Sequence, residues 1–107
     1  MQALTMPPGR RVRVSEFAEN PLEGVEHSIS IEEQPVPDPA SLATHDVIIE
    51  VKSASVGWVD LLMTSGQYQH QPPLPYTPGL EYSGVVTWVG ADVDDKVANV
   101  GDRVLVD

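Results

Sequence analysis

Prolines and glycines are spread along the chain and limit it to short helices and strands. There are ten prolines and eight glycines among the 107 residues. Proline lacks a backbone N–H and fixes its own φ angle, whereas glycine favours turns, so both interrupt regular hydrogen bonding. A chain of this length forms one domain, and its short elements must therefore share one modest hydrophobic core.

Alternation of apolar and polar residues predicts most of the strands. In one of these segments Val47, Ile49 and Val51 share a face, while Glu50 and Lys52 lie on the other. Another segment is apolar on both faces, which predicts a buried strand. The predicted strands cover residues 2–6, 11–14, 28–33, 46–55, 82–89 (the buried one) and 103–106.

One short helix is predicted, because Trp58, Leu61 and Leu62 recur at helical spacing before a Ser-Gly pair ends the pattern. Residues 17–26 contain a proline and a glycine and are interpreted as a loop. Three alternating prolines at positions 35, 37 and 39 predict an extended connection, and four prolines keep residues 71–79 out of any sheet. Many short strands with one helix indicate a compact, mainly β barrel.

Charge and composition exclude several classes of function. The formal net charge is -10, which disfavours nucleic acid or an anionic membrane surface as a partner, although Arg10, Arg11 and Arg13 cluster near the start. The absence of cysteine excludes disulfides, a cysteine nucleophile and thiolate metal sites. No apolar run reaches the ~20 residues of a membrane helix. The sequence is consistent with a cytoplasmic protein, or with an organellar one from which a targeting peptide was removed.

Four motifs in fixed order carry a family resemblance. They are PVPDP at 35–39, DVIIEVKSASVGWVDLLMTSGQY at 46–68, PPLPYTPGLEYSGVVTWVG at 72–90 and VGDRVLV at 100–106. This set resembles the N-terminal domain of the medium-chain dehydrogenase/reductase superfamily. The resemblance implies a GroES-like fold across residues 1–107, a partly open β-barrel with one or two short helices. It also implies a doubly wound cofactor-binding domain that this chain, ending at Asp107, is expected to lack.

The resemblance is to zinc-free members of the superfamily. Zinc-dependent members hold a catalytic metal with a cysteine where this chain has Gly57 and a histidine where it has Leu80. Neither residue can bind zinc, and a structural site would need four cysteines. His27, His45 and His70 have no spacing typical of metal ligands, so no metal site is expected. Among the zinc-free members, the sequence resembles quinone reductases of the zeta-crystallin type and enoyl-thioester reductases.

Site residues are carried over from this branch one at a time. Tyr68 matches an active-site tyrosine, whose hydroxyl would donate a proton; alternatively, its ring packs on the barrel. Asp60 matches the family's aspartate after the strand-to-helix turn, which would orient the site or the nicotinamide ribose region; alternatively, it caps the helix. Gly57 and Trp58 occupy positions near the nicotinamide, where relatives usually have asparagine and a proline or small apolar residue. Trp58 would line the pocket or fill the gap to the second domain.

The resemblance implies hydride transfer from NADPH or NADH to a quinone or conjugated carbonyl compound. A cofactor-binding domain or partner chain would complete the cleft, the isolated piece would be nearly inactive, and the full-length protein could form a homodimer. The alternative is a non-catalytic interaction or assembly module that has lost its cofactor domain. A co-chaperonin ring subunit shares only the fold and is the weakest of the three hypotheses.

Overall fold

The computed structural model describes residues 8–107, which form five strands and a few short helical segments. Their contacts divide the chain into two units, described separately below. The predicted strand at 2–6 lies outside the described residues. The strands are β1 (Gly9–Val14), β2 (Ile29–Gln34), β3 (Val47–Ala54), β4 (Tyr82–Val89) and β5 (Arg103–Val106), and the α-helices are α1 (Pro21–Glu23) and α2 (Trp58–Met63).

One unit is built on an antiparallel three-stranded sheet in the order β3-β4-β5. The strand predicted to be buried is the central one, β4, and Val86 on it is 1% exposed. At Gly84 the backbone of β4 runs so close to β3 that a Cβ would overlap the Glu50 carbonyl oxygen. Only glycine therefore fits this sheet position without a backbone shift. The predictions for β4 and β5 are confirmed with their bounds.

The predicted strand at 46–55 is confirmed, but simple alternation along it is interrupted. The register of β3 against β4 shifts between Ile48 and Ile49 and again between Val51 and Ser53. Each such irregularity re-aims the side chains that follow it. As a result Ile48 is buried, at 8% exposure, whereas Val51 is 53% exposed. The face shared by Val47, Ile49 and Val51 is thus not the buried face that alternation alone would suggest.

The other unit contains the antiparallel pair β1-β2, which confirms the predictions for 11–14 and 28–33. The register places Arg10 opposite Glu33 and Arg11 opposite Glu32. Arg13 Nε also lies 3.9 Å from a carboxylate oxygen of Glu32. Opposite charges on facing positions stabilise a strand pair modestly. The basic cluster near the start of the chain is therefore matched by acidic residues of β2.

The prediction of a loop across residues 17–26 is wrong, because helical turns form there. The side chain of Asn20 caps α1 by accepting the Glu23 N–H at 2.9 Å, and Pro21 occupies the first helical position, where its missing N–H costs nothing. A π-helical turn, Gly24–Ser28, continues the segment into β2. Gly24 lies directly against Thr64 at the end of α2, where a Cβ would overlap the threonine side chain.

The core of this unit consists of Val14, Met63 and Tyr76, which are 0%, 6% and 8% exposed. Phe17, Ile29, Val59 and Tyr68 pack around these three residues. Tyr76 joins the unit through a single antiparallel bridge to Val14, although it lies between prolines and outside any named strand. The cluster therefore ties β1, α2 and the proline-rich segment together at one point.

The expected architecture, mainly β and partly open with a few short helices, is confirmed. Among residues 8–107 neither sheet closes on itself, and a 3-10 turn, Pro39–Ser41, interrupts the extended proline-rich connection. Residues 71–79 lie outside the named strands, as predicted. None of the helices in the described part of the chain has the length and apolar character needed to cross a membrane.

Candidate active site

The four residues carried over from the resemblance all lie in one unit, on and around α2. Gly57 is the N-cap residue of this helix, Trp58 is its first residue, and Asp60 is in its first turn. Tyr68 follows the turn that ends the helix. The helix is where it was predicted, but its buried residues are Asp60 and Met63 rather than Trp58, which is 68% exposed.

Asp60 is a buried carboxylate at the start of α2, 8% exposed. Its Oδ2 accepts the backbone N–H of Gly57 at 2.8 Å, so it caps the helix as the structural alternative expected. Its Oδ1 is buried and has no hydrogen-bond partner among the described residues. One oxygen is thus committed to the backbone, while the other is left for a further polar group. The proposed role of Asp60 in orienting the site remains compatible with capping.

Tyr76 is a residue of this unit that is not among the four carried over from the resemblance. It is buried, as expected of a core aromatic, but its hydroxyl has no hydrogen-bond partner among the described residues. Burial raises the pKa of the Tyr76 phenol above its ordinary value of 10.0, and the negative charge of Asp60 raises this pKa further. The phenol therefore remains a protonated donor at neutral pH, within the electrostatic reach of Asp60.

The raised pKa of Tyr76 gives a signed prediction for alkaline pH. The folded state holds this proton more tightly than the unfolded state, so the stabilisation is complete below about pH 10 and decreases above it as the unfolded phenol ionises first. One such group changes the free energy of unfolding by at most about 1.4 kcal/mol per pH unit. Urea unfolding between pH 9 and 11 should show that the free energy of unfolding decreases less with rising pH in Tyr76→Phe than in the wild type. Parallel curves for the two proteins would contradict the prediction, and Tyr82→Phe is the matched control.

Tyr68 is half-buried and packs against the Val14, Met63 and Tyr76 cluster. The ring packing that was the structural alternative is therefore present. Packing does not occupy the phenol oxygen, which makes no hydrogen bond to another described residue. A ring fixed on a core cluster with an uncommitted hydroxyl is well suited to present a proton donor, because the cluster limits the motion of the side chain.

Gly57 and Trp58 form an exposed corner at the start of α2. Trp58 is 68% exposed and its neighbour Val56 is 83% exposed. A Cβ at Gly57 would meet only the Oδ2 of Asp60, at 3.8 Å, among the atoms within 4 Å. The backbone here is therefore open to close approach, beside an exposed indole. Such a corner can contact a flat aromatic ring through stacking and backbone hydrogen bonds.

The donor set gives no support for zinc at the superfamily's catalytic position, where the chain has Gly57 and Leu80. The structure does bring together Glu23, Glu26 and His27, whose ligand atoms lie within 4.8 Å of one another. All three side chains are exposed, and the His27 ring nitrogen lies 3.7 Å from a carboxylate oxygen of Glu23 and 3.6 Å from one of Glu26, which are ordinary surface contacts. An acidic cavity of about 260 Å³ lies beside them, lined by residues that include Glu16, Glu19, Glu23 and His27.

Comparisons with known proteins agree with this fold. Residues 43–107 match the family described as "Alcohol dehydrogenase GroES-like domain". Quinone oxidoreductase-like protein 2 of Rattus norvegicus is 43% identical over 67 residues, which are 63% of this chain and 19% of that protein. Quinone oxidoreductase of Lama guanicoe is 36% identical over 95 residues, which are 89% of this chain and 26% of that protein.

The solved structure of the quinone oxidoreductase from Coxiella burnetii superposes with a TM-score of 0.71 over 92% of this chain and 29% of that chain. Its sequence identity is 22%, so this likeness shows the shared fold. The chain spans about a fifth to a quarter of the length of the two curated relatives. The two curated relatives are similar to this chain over only part of their length, and the chain itself belongs to the alcohol dehydrogenase GroES-like domain family of the medium-chain dehydrogenase/reductase superfamily.

Proposed function

We propose that this chain is the substrate-side domain of an NAD(P)H-dependent reductase of quinones, enones or enoyl thioesters. The observation that carries the proposal is Tyr68, which packs on the core cluster, makes no hydrogen bond through its hydroxyl to another residue within 8–107, and is close in sequence to the exposed Gly57–Trp58 corner. Relatives named as quinone oxidoreductases support an oxidoreductase role. Because those relatives are much longer, a cofactor-binding domain or a partner chain is proposed to complete the cleft.

The chemistry assigned to this domain is stabilisation of negative charge and delivery of a proton. A reduced nicotinamide supplies a hydride when it is bound. Addition of hydride to the alkene carbon of an enone moves an electron pair onto the carbonyl oxygen. The Tyr68 hydroxyl donates a hydrogen bond to that oxygen and then transfers its proton to it, which gives an enol that tautomerises to the saturated carbonyl compound, and the phenolate regains a proton from solvent. For a quinone the same proton is delivered to a carbonyl oxygen of the ring.

Gly57 and Trp58 are proposed to contact the nicotinamide end of the cofactor. The open backbone at Gly57 and the exposed indole beside it fit a flat ring without a change in the fold. Asp60 is proposed to hold this corner in place through its bond to the Gly57 N–H. NADPH and NADH are distinguished by residues that bind the far end of the cofactor, which in this superfamily lie in the cofactor domain.

The reaction is proposed to proceed without catalytic zinc. A zinc mechanism would polarise the carbonyl through a Lewis acid held by thiolate, imidazole or carboxylate ligands. Gly57 and Leu80 offer none of these groups, and the sequence contains no cysteine. The role that a Lewis acid would have is assigned instead to a hydrogen-bond donor, the Tyr68 hydroxyl.

The decisive experiment restores the cleft and measures turnover. The 107-residue chain would be joined to, or co-expressed with, the nicotinamide-binding domain of a quinone oxidoreductase relative. NAD(P)H oxidation would be followed at 340 nm with a quinone, an enone and an enoyl thioester as separate substrates. We expect substrate-dependent oxidation with at least one of them that a zinc chelator does not reduce.

Two controls make the result interpretable. Cofactor binding is measured separately by nicotinamide fluorescence, and the chain without the added domain serves as the inactive reference. Bound cofactor with no turnover of all three substrates would overturn the reductase proposal. A stable complex of that kind would favour the assembly module, because the exposed Trp58 and Val56 would then serve as a contact surface alone. Inhibition by the chelator would overturn the zinc-free mechanism.

A further inference from the structure

Four buried polar atoms in the α2 unit have no hydrogen-bond partner among the described residues: Nε of Arg11, Nε of Arg13, Oδ1 of Asp60 and the hydroxyl of Tyr76. The last two are complementary to each other, and their residues are held to the same core cluster. The Tyr76 hydroxyl can donate a hydrogen bond, and the Asp60 Oδ1 can accept one. Both residues are 8% exposed, and neither atom has a hydrogen-bond partner among the described residues. Buried polar groups in folded proteins are nearly always satisfied, so each such atom requires an explanation.

Other contacts hold both the Tyr76 side chain and the Asp60 carboxylate in place. The backbone of Tyr76 exchanges two hydrogen bonds with Val14, of 2.8 and 3.1 Å, and its ring belongs to the core cluster. The Asp60 carboxylate is fixed by the Gly57 N–H through its other oxygen. Met63 of the core cluster lies one helical turn beyond Asp60 on the buried side of α2, next to Tyr76. Neither group can therefore turn to solvent without loss of these contacts.

We propose that Tyr76 is a positioning residue, whose hydroxyl is joined to Asp60 Oδ1 through one bridging water and so fixes the carboxylate that orients Gly57. A bridging water fits the site because both atoms are polar, buried and of opposite hydrogen-bonding type. The effect of the Asp60 charge on the Tyr76 phenol supports their proximity. The inference rests on the proposed function, since it makes the core cluster the support of the Gly57–Trp58 corner.

The coupling predicts that a change at Tyr76 is detected at Gly57, although the two residues are far apart in sequence. Because Tyr76 is proposed to act on Gly57 only through Asp60, a substitution at Tyr76 should have no further effect on Gly57 once the Asp60 carboxylate is removed. In the full chain, Tyr76→Phe should accelerate hydrogen exchange of the Gly57 amide about tenfold, which corresponds to the loss of one ordinary hydrogen-bond contribution. Asp60→Ala should accelerate it at least as much, and the double variant no further than Asp60→Ala.

The test uses backbone NMR of isotope-labelled protein, so its outcome is independent of turnover. The Val14 and Tyr76 amides, which bond to each other's carbonyl groups, report whether the core cluster is intact in each variant. An unchanged Gly57 amide in Tyr76→Phe, with these reference amides protected, would overturn the proposal. Additive effects of the two substitutions would overturn it as well. Absence of turnover in the restored reductase would leave this result unaffected.

A second measurement requires no change at Tyr76 and covers the case in which Tyr76→Phe fails to fold. The pKa of Tyr76 is followed by ¹³C NMR of its ring in the wild type and in Asp60→Asn. Removal of the negative charge should lower this pKa, and Asp60→Asn should also shift the Gly57 amide resonance. A Tyr76 pKa that is the same in both proteins would contradict the coupling.

Discussion

Replacement of Tyr68 with phenylalanine is expected to lower kcat of the completed reductase by about 10²- to 10⁴-fold, the range typical of a lost general acid. The substitution removes one oxygen atom and keeps the ring. That ring packs on the Val14, Met63 and Tyr76 cluster, so the fold should be preserved. The KM for NAD(P)H should change little, because the phenol is proposed to act on the substrate oxygen rather than on the cofactor.

The measurement is steady-state NAD(P)H oxidation by the protein joined to a nicotinamide-binding domain, with kcat and KM determined separately. Tyr82→Phe makes the same chemical change on β4, in the other unit, and should leave kcat within a factor of about two. Thermal unfolding of both variants checks that the fold is retained. A kcat for Tyr68→Phe within a few-fold of the wild type would assign the proton donor to another group or to solvent.

The sequence predicts the sheet of β3, β4 and β5 well because local pattern and tertiary environment agree there. β4 is apolar on both faces, which predicts a strand buried on both faces, and it does lie in the centre of its sheet. The alternation in β3 is misleading for a definite reason. Register shifts on either side of Ile49–Val51 change which side chains face the core, and such irregularities depend on the partner strand.

Across residues 17–26, where a loop is predicted and helical turns form, the sequence does contain a local signal for a helix. Asn20 followed by Pro21, with Glu23 at the third helical position, is a pattern typical of a helix start. A proline usually interrupts a helix and so favours a loop, whereas at the first helical position, where Pro21 lies, it is favourable. Gly24 is required by its close contact with Thr64, forty residues later in the sequence, which no local pattern reports.

The candidate site was predictable to the extent that it lies on one short segment. Gly57, Trp58 and Asp60 are close in sequence, and the helix places them at one corner of the unit. The contribution of Tyr76 was not predictable, because it depends on a bridge to Val14, sixty-two positions earlier. No local pattern reports that a tyrosine between prolines will be buried with a hydroxyl that has no partner among the described residues. Long-range contacts of this kind determine which polar groups are left without partners.

Replacement of Met63 with alanine is expected to reduce the free energy of unfolding by about 2–5 kcal/mol, as for other large-to-small changes in a core. Met63 is 6% exposed and contacts the point where β1, α2 and the segment around Tyr76 meet. Its removal leaves a cavity among residues held by the backbone bridge of Val14 and Tyr76, which limits collapse. Since folded domains of this size are stable by only about 5–15 kcal/mol, much of the total would be lost.

Met63→Leu and Leu105→Ala separate packing from other effects of the substitution. Leucine nearly conserves volume and should cost less than about 1.5 kcal/mol, and Leu105 is 80% exposed, so its loss should cost little. Urea unfolding monitored by circular dichroism provides the three values. If Met63→Ala is destabilised no more than Leu105→Ala, the cluster is not the stabilising core of its unit. The argument that its rigidity holds Tyr68 in position for proton transfer would then fail, because that argument requires a ring packed on a core that resists deformation.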